Sequence, residues 1–203
     1  MAVFEGSAVA LVLPMFDDGS IDYEGFKRQV QRMIDGGVQA LLVNGTTGET
    51  ATITIEEEFE LTKIVMNMVK GTDVKVIAGA GSNDTATALK KAKFAKEVGA
   101  DAILVVTPYY NKATQNGLYA HFKAVADSVK IPIILYNVPG RTGCNMLPET
   151  VVRLCKDVEN IVGVKEASGN ISQVAHLAAI ADGAVDIYSG NDDQIVPVMS
   201  LGG

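Results

Sequence analysis

The sequence predicts an α/β fold of the TIM (β/α)₈ barrel type, one domain over residues 1–203 with seven of the eight strand–helix units present. Three observations lead there. Strand-type apolar runs and amphipathic helical segments alternate with a period of roughly 30 residues, the size of one strand–helix unit. The strand runs are continuously apolar rather than alternating, as expected where helices cover the sheet. Five of the runs empty at their carboxyl ends into unusual polar loops. In a barrel such loops meet on one face, where barrel enzymes keep their active sites, whereas in an open sheet only those near the switch point would meet.

Each element has a local reason. Residues 8–14 read as the first strand, followed by a turn at Asp17-Asp18-Gly19-Ser20. The next helix carries Phe26, Val30, Met33 and Ile34 on one face and stops at Gly36-Gly37. Residues 40–43 are the second strand, and Thr54-Ile55-Glu56-Glu57 is a capping box opening a helix with Leu61, Ile64, Val65 and Met68 inward. Residues 74–78 are the third strand, and Asn83 or Asp84 caps an alanine-rich helix closed by Gly99. Residues 102–106 make the fourth strand, with a helix over about 117–129. Residues 131–136 make the fifth, and Pro148 opens a helix as an N1 proline can. Residues 161–165 make the sixth, followed by a helix bearing Val174, Leu177, Ala178 and Ile180. Residues 185–188 make the seventh, and a short helix over about 193–201 follows.

Composition narrows the function. The 203 residues are 48% hydrophobic and 20% charged, an ordinary globular balance. The net charge of −7, without a basic run, argues against nucleic acid as a partner. No apolar run approaches the roughly 20 residues of a membrane span, and the apolar start at residues 1–15 lacks a basic leader. Cys144 and Cys155 form neither a disulfide framework nor a CxxC pair, which fits a reducing cytoplasm. His121 and His176 are isolated within helices and read as structural or surface residues, so a Cys/His metal cluster is not expected. Gly79-Ala80-Gly81 does not extend to GxGxxG, which leaves a dinucleotide site weakly supported.

The polar strand ends supply the chemistry. In Ile161-Val162-Gly163-Val164-Lys165-Glu166-Ala167-Ser168 an apolar strand ends in a lysine. Burying an ammonium is costly unless it is paired or loses its proton, and a neutral lysine forms Schiff bases with carbonyl substrates. The plainer alternative is a lysine snorkelling to water. Gly45-Thr46-Thr47-Gly48 offers backbone N–H groups and two hydroxyls suited to a carboxylate, or is simply a β-to-α turn. Tyr109-Tyr110 follows the fourth strand and is either functional or rim packing. Tyr136 ends the fifth strand, where a phenol can act as an acid or base, or can be a satisfied core tyrosine. Arg141, in Pro139-Gly140-Arg141-Thr142-Gly143, is either a forked donor for a substrate carboxylate or a solvated surface arginine. The seventh loop is Ser189-Gly190-Asn191-Asp192-Asp193.

Taken together, Gly45-Thr46-Thr47-Gly48-Glu49, Thr107-Pro108-Tyr109-Tyr110-Asn111-Lys112, Tyr136-Asn137-Val138-Pro139-Gly140-Arg141-Thr142-Gly143 and Gly163-Val164-Lys165-Glu166-Ala167-Ser168-Gly169-Asn170 resemble the dihydrodipicolinate synthase family. That family belongs to the pyruvate-dependent class I aldolases that include N-acetylneuraminate lyase. The resemblance covers the whole chain, and Arg141 within Arg-Thr-Gly points to the synthase branch. It implies condensation of pyruvate with aspartate semialdehyde, without metal or organic cofactor. Lys165 would be the Schiff-base lysine, and Tyr136, Thr46 and Tyr110 a proton relay. Thr47 would hold the pyruvate carboxylate, Arg141 the semialdehyde carboxylate, and Gly190 would line the substrate site. Tyr110 would reach a neighbouring subunit's site, implying a homodimer or homotetramer. Asn83 and Tyr109 match the pattern of lysine-inhibited members, but Ile55, Glu58 and Thr87 stand where those carry histidines and a glutamate. The family's eighth strand and C-terminal helices are missing, so a fragment or an incomplete record of a longer protein is expected, with exposed strand edges. Two other readings stay open: another pyruvate aldolase acting on a sugar-derived 2-keto acid, or an inactive fragment of such an enzyme.

Overall fold

A computed structural model describes residues 2–203. Seven strands alternate with eight helices: β1 Ala8–Ala10, α1 Tyr23–Asp35, β2 Ala40–Val43, α2 Ile55–Met68, β3 Lys75–Gly79, α3 Thr85–Glu97, β4 Ala102–Val106, α4 Gln115–Ser128, β5 Ile133–Asn137, α5 Pro139–Thr142, α6 Pro148–Asp157, β6 Ile161–Glu166, α7 Ile171–Ala181, β7 Asp186–Ser189 and α8 Ile195–Ser200. They form two compact units. The smaller holds Val3–Gly79 and Phe94–Ile103; the larger holds Ala80–Lys93 and Leu104–Gly203.

In the smaller unit β1, β2 and β3 run parallel, with Ala8 opposite Ala40 and Ala40 opposite Lys75. All four β2 residues are buried, as a strand covered on both faces requires. The first strand is shorter than the apolar run suggests. Ladder pairing with β2 ends at Ala10 opposite Leu42, and Val12 is 48% exposed, while the chain turns back through a Met15–Ile21 bridge. The Asp22 side chain caps α1 by accepting from Gly25 N, and Phe26 and Val30 face inward. The Thr54/Glu57 capping box forms as the spacing demands, placing Leu61 and Val65 in the core.

In the larger unit the strand order follows the chain through β5, β6 and β7, all parallel. Thr114 caps α4 two residues earlier than the sequence pattern suggests, its side chain accepting from Gly117 N. Pro148 occupies the first turn of α6, where its missing N–H costs nothing. Asn170 caps α7 through Gln173 N. The core includes Ile133, Ile134 and Leu135 of β5, Ile161 and Val164 of β6, Leu118 and Phe122 of α4, and Leu154 of α6.

One irregularity sets up the site. Ile133 pairs with Ile161, but Ile134 pairs with Gly163, so Val162 is passed over. Beyond that shift Tyr136 lies opposite Lys165 and Asn137 opposite Glu166. An unbroken register would have put Tyr136 opposite Val164, and slipping one residue turns side chains to opposite faces. Gly163 is needed at this point: a Cβ there would collide with Asp186 O and lie 2.9 Å from Asp186 Cβ on β7.

Candidate active site

The carboxyl ends of β5, β6 and β7 bring the central residues together. Lys165 is half-buried in β6 and stands between Tyr136 of β5 and Tyr188 of β7 in the ladders. Its Nζ lies 4.8 Å from the centroid of the Tyr136 ring. Burial pushes the Lys165 amine below the usual lysine range, with the Asp192 carboxylate opposing that shift. Burial also pushes the Tyr136 phenol above its usual range, with Arg141 opposing. Both shifts favour the uncharged form. The pair therefore offers a nucleophilic amine beside a protonated phenol.

Gly190 follows β7 and donates its N–H to Glu166 O at 2.8 Å. A Cβ at position 190 would meet Ala167 Cβ at 2.7 Å and Lys165 Cε at 3.2 Å. The residue is thus adjacent to the lysine stem, and the lack of a side chain leaves that stem room. Arg141 sits in the single helical turn α5 and not in an irregular loop, because Pro139 at its start and left-handed Gly143 at its end suit a one-turn helix. Arg141 is exposed, and its charge acts on the Tyr136 phenol. Tyr110 is 89% exposed and adopts a left-handed backbone with φ of 71°. Its N–H is donated to Thr142 O at 3.3 Å, which ties it to the α5 turn.

Thr46 and Thr47 belong to the smaller unit. There the chain leaves β2 through a 3₁₀ turn, Thr46–Gly48, closed by Gly48 N to Gly45 O and Glu49 N to Thr46 O. Both threonines are exposed, while Asn44 before them is buried and donates from Nδ2 to Glu58 O and Thr62 Oγ1. Gly79, read from sequence as a weak dinucleotide signal, marks instead the close passage of β3 past the Asn44 carbonyl, which a Cβ would strike. Among the described residues no group of three or more His, Cys, Asp or Glu side chains could hold a metal ion, and no helix is long and apolar enough to cross a membrane.

Sequence reasoning missed the opposite face of the same strand ends. Asn137 is 0% and Glu166 3% exposed. Asn137 Nδ2 donates to both Glu166 oxygens at 3.2 and 3.1 Å. Each follows a candidate catalytic residue directly, which is the signal that could have found them.

Residues 3–203 match the Dihydrodipicolinate synthetase family. The chain belongs to that family. It is 49% identical over 203 residues to the 4-hydroxy-tetrahydrodipicolinate synthase of Clostridium novyi (strain NT), spanning 100% of this chain and 68% of that protein. The same-named protein of Thermoanaerobacter pseudethanolicus is 52% identical over the same shares. Among solved structures, the chloride-inhibited dihydrodipicolinate synthase of Acinetobacter baumannii, complexed with pyruvate, superposes with a TM-score of 0.94 at 43% identity, over 98% of this chain and 67% of that one. Dihydrodipicolinate synthase from Aquifex aeolicus gives 0.94 at 43% identity, over 98% and 68%. The family fold is therefore present here as a TIM-type barrel with seven of its strand–helix units.

Proposed function

We propose that the chain is a Schiff-base lyase of the 4-hydroxy-tetrahydrodipicolinate synthase type, condensing pyruvate with aspartate semialdehyde. The observation that carries this reading is the half-buried Lys165 amine, biased toward its neutral form and 4.8 Å from the Tyr136 ring. Family membership adds the substrates.

The reaction follows from the amine. Neutral Lys165 attacks the pyruvate ketone carbon, and the resulting carbinolamine loses water as Tyr136 donates a proton to the departing oxygen. The iminium draws electrons from the methyl group, a methyl proton leaves, and an enamine forms. The enamine carbon bonds to the aldehyde carbon of aspartate semialdehyde, whose oxygen takes a proton and becomes the 4-hydroxyl. The substrate amine then attacks the imine carbon, closes the ring and releases Lys165. One water is lost overall. The lysine itself is the electron sink, so the cycle calls for no cofactor.

The remaining roles are carried by the family resemblance. Thr46 and Tyr110 pass protons with Tyr136, Thr47 holds the pyruvate carboxylate, Arg141 receives the semialdehyde carboxylate, and Gly190 lines the substrate site. The exposure of Tyr110 supports a function across a homodimer, itself able to pair into a tetramer. The free thiols of Cys144 and Cys155 support a cytoplasmic setting. The domain is read as a single barrel domain over residues 1–203.

Borohydride reduction in the presence of pyruvate, followed by peptide mass mapping, tests the reading. A pyruvate adduct on Lys165 is expected, forming faster as pH rises because attack needs the unprotonated amine. A folded sample without the adduct would refute it. Product analysis with aspartate semialdehyde against N-acetylmannosamine separates the synthase from a sugar-acid lyase.

A further inference from the structure

The β5–β6 ladder ends in two rungs that face opposite ways. Tyr136 and Lys165 make one; Asn137 and Glu166 make the next. The second rung is buried and fully hydrogen-bonded. Glu166 accepts from Asn137 Nδ2 on both oxygens, from Ser168 N at 2.8 Å on Oε1, and from Gln173 Nε2 at 3.4 Å on Oε2. Every partner donates, so both carboxylate oxygens act only as acceptors. Asn137 Oδ1 accepts from Met146 N at 2.9 Å, and its Nδ2 also donates to Asn145 Oδ1 at 2.9 Å. Asn145 Nδ2 closes the ring onto Gln173 Oε1 at 2.8 Å. The cluster thus joins the end of β5, the end of β6, the chain that returns from α5 and the first turn of α7.

Strand ends fray unless something beyond the ladder holds them. Here Ala167 N extends the pairing to Asn137 O at 2.9 Å, and Gly190 N extends it to Glu166 O at 2.8 Å. The cross-strand side-chain pair locks the same rung from behind. Its neighbour is the rung that carries the amine and the phenol. A carboxylate 3% exposed and held by the neutral donors of Asn137, Ser168 and Gln173 is an expensive way to fasten a strand end. An apolar pair would fasten it more cheaply, but could not also hold Ser168 N, Met146 N and the amides of Asn145 and Gln173.

We propose that Glu166 and Asn137 are positioning residues: their cross-strand hydrogen bonds fix the last rung of the β5–β6 ladder and so hold the Lys165 amine against the Tyr136 ring. The proposal rests on the Schiff-base reading of Lys165. It assigns no contact with substrate to either residue. Loosening the rung lets Lys165 drift toward water, away from the phenol that serves it.

Glu166→Gln tests this at nearly constant volume, since it sets an amide donor against donors. Two readouts apply to the folded chain, checked by circular dichroism. Pyruvate trapping by borohydride is expected to slow at least tenfold at neutral pH. Competitive acetylation of Lys165, followed by mass spectrometry across pH, is expected to shift toward the profile of ordinary exposed lysines. The exchange Asn137→Asp with Glu166→Gln re-forms the cross-strand bond with donor and acceptor reversed, at the loss of the bond to Asn145 Oδ1, and is expected to recover part of both readouts. Wild-type trapping and acetylation in folded E166Q would overturn the proposal, as would a folded double exchange that restores neither. If E166Q does not fold, Gln173→Met removes one donor to Glu166 and is read the same way, with a smaller shift. If the wild-type chain forms no pyruvate adduct, the Schiff-base reading fails, and acetylation alone still decides whether the rung positions the amine.

Discussion

The two faces of the β5–β6 strand ends solve opposite problems within two residues of each other. On one face Asn137 and Glu166 are buried and every polar atom in contact finds a partner, so burial there adds rigidity. On the other, Lys165 is left against an aromatic ring, with the exposed Asp192 as its opposing charge. Burial there is only partly offset, and it biases the amine toward reactivity. Satisfied polar groups hold a site in place, and an unsatisfied one makes it act; a strand's alternation lets adjacent residues do each.

The contrast predicts stability changes of opposite sign. The largest is expected for Glu166→Ala, which strands donors on Asn137, Ser168 and Gln173; about 3 kcal/mol should be lost in denaturant unfolding, given the usual cost of buried unpaired donors. A stability equal to wild type would mean that water replaces the carboxylate at no cost. Gly190→Ala probes the crowded side of the lysine. Its Cβ would press on Ala167 Cβ and Lys165 Cε, so overpacking of about 1–3 kcal/mol and slower pyruvate trapping are expected together. Unchanged thermal unfolding would show that the β7 end yields freely.

Lys165→Met is expected to do the reverse, ending adduct formation while raising stability by about 1 kcal/mol near neutral pH. The sign follows from linkage. A lysine titrating below its unfolded value of about 10.5 penalises the native state fully below its folded pKa, and the penalty fades to nothing above the unfolded value. The gain should therefore shrink as unfolding is measured at increasingly alkaline pH, and a gain independent of pH would point to packing alone. The smallest effect concerns Cys155, whose thiol burial pushes up to about 12, with Asp186 adding to the shift. Native protein at pH 8 should leave it unalkylated by iodoacetamide until denaturant is added.

Much of this arrangement was legible because it is local. The capping box at Thr54, the proline opening α6 and the polar strand ends are each written in a few consecutive residues. Lys165 and Tyr136 were found because a charged and a phenolic group each end an apolar run. The shift that skips Val162 was not legible, since apolar runs pair equally well in several registers and the choice is made by the close approach of β7 at Gly163. The α5 turn was hidden because Pro-Gly-Arg-Thr-Gly reads as a loop by composition. The Asn137–Glu166 cluster was hidden for a different reason: its partners Asn145 and Gln173 come from separate segments, and only packing brings them together.

The bias of Lys165 toward its free amine also bears on how the protein is handled at the bench. Isocyanic acid, present wherever urea has aged, carbamylates unprotonated amines, so in the folded chain, where burial favours the free amine, Lys165 is open to capping by aged urea carried in a native buffer. In urea strong enough to unfold the chain the bias disappears with the burial, so the selective hazard lies in sub-denaturing urea, where a treated sample would keep its shape and lose its chemistry.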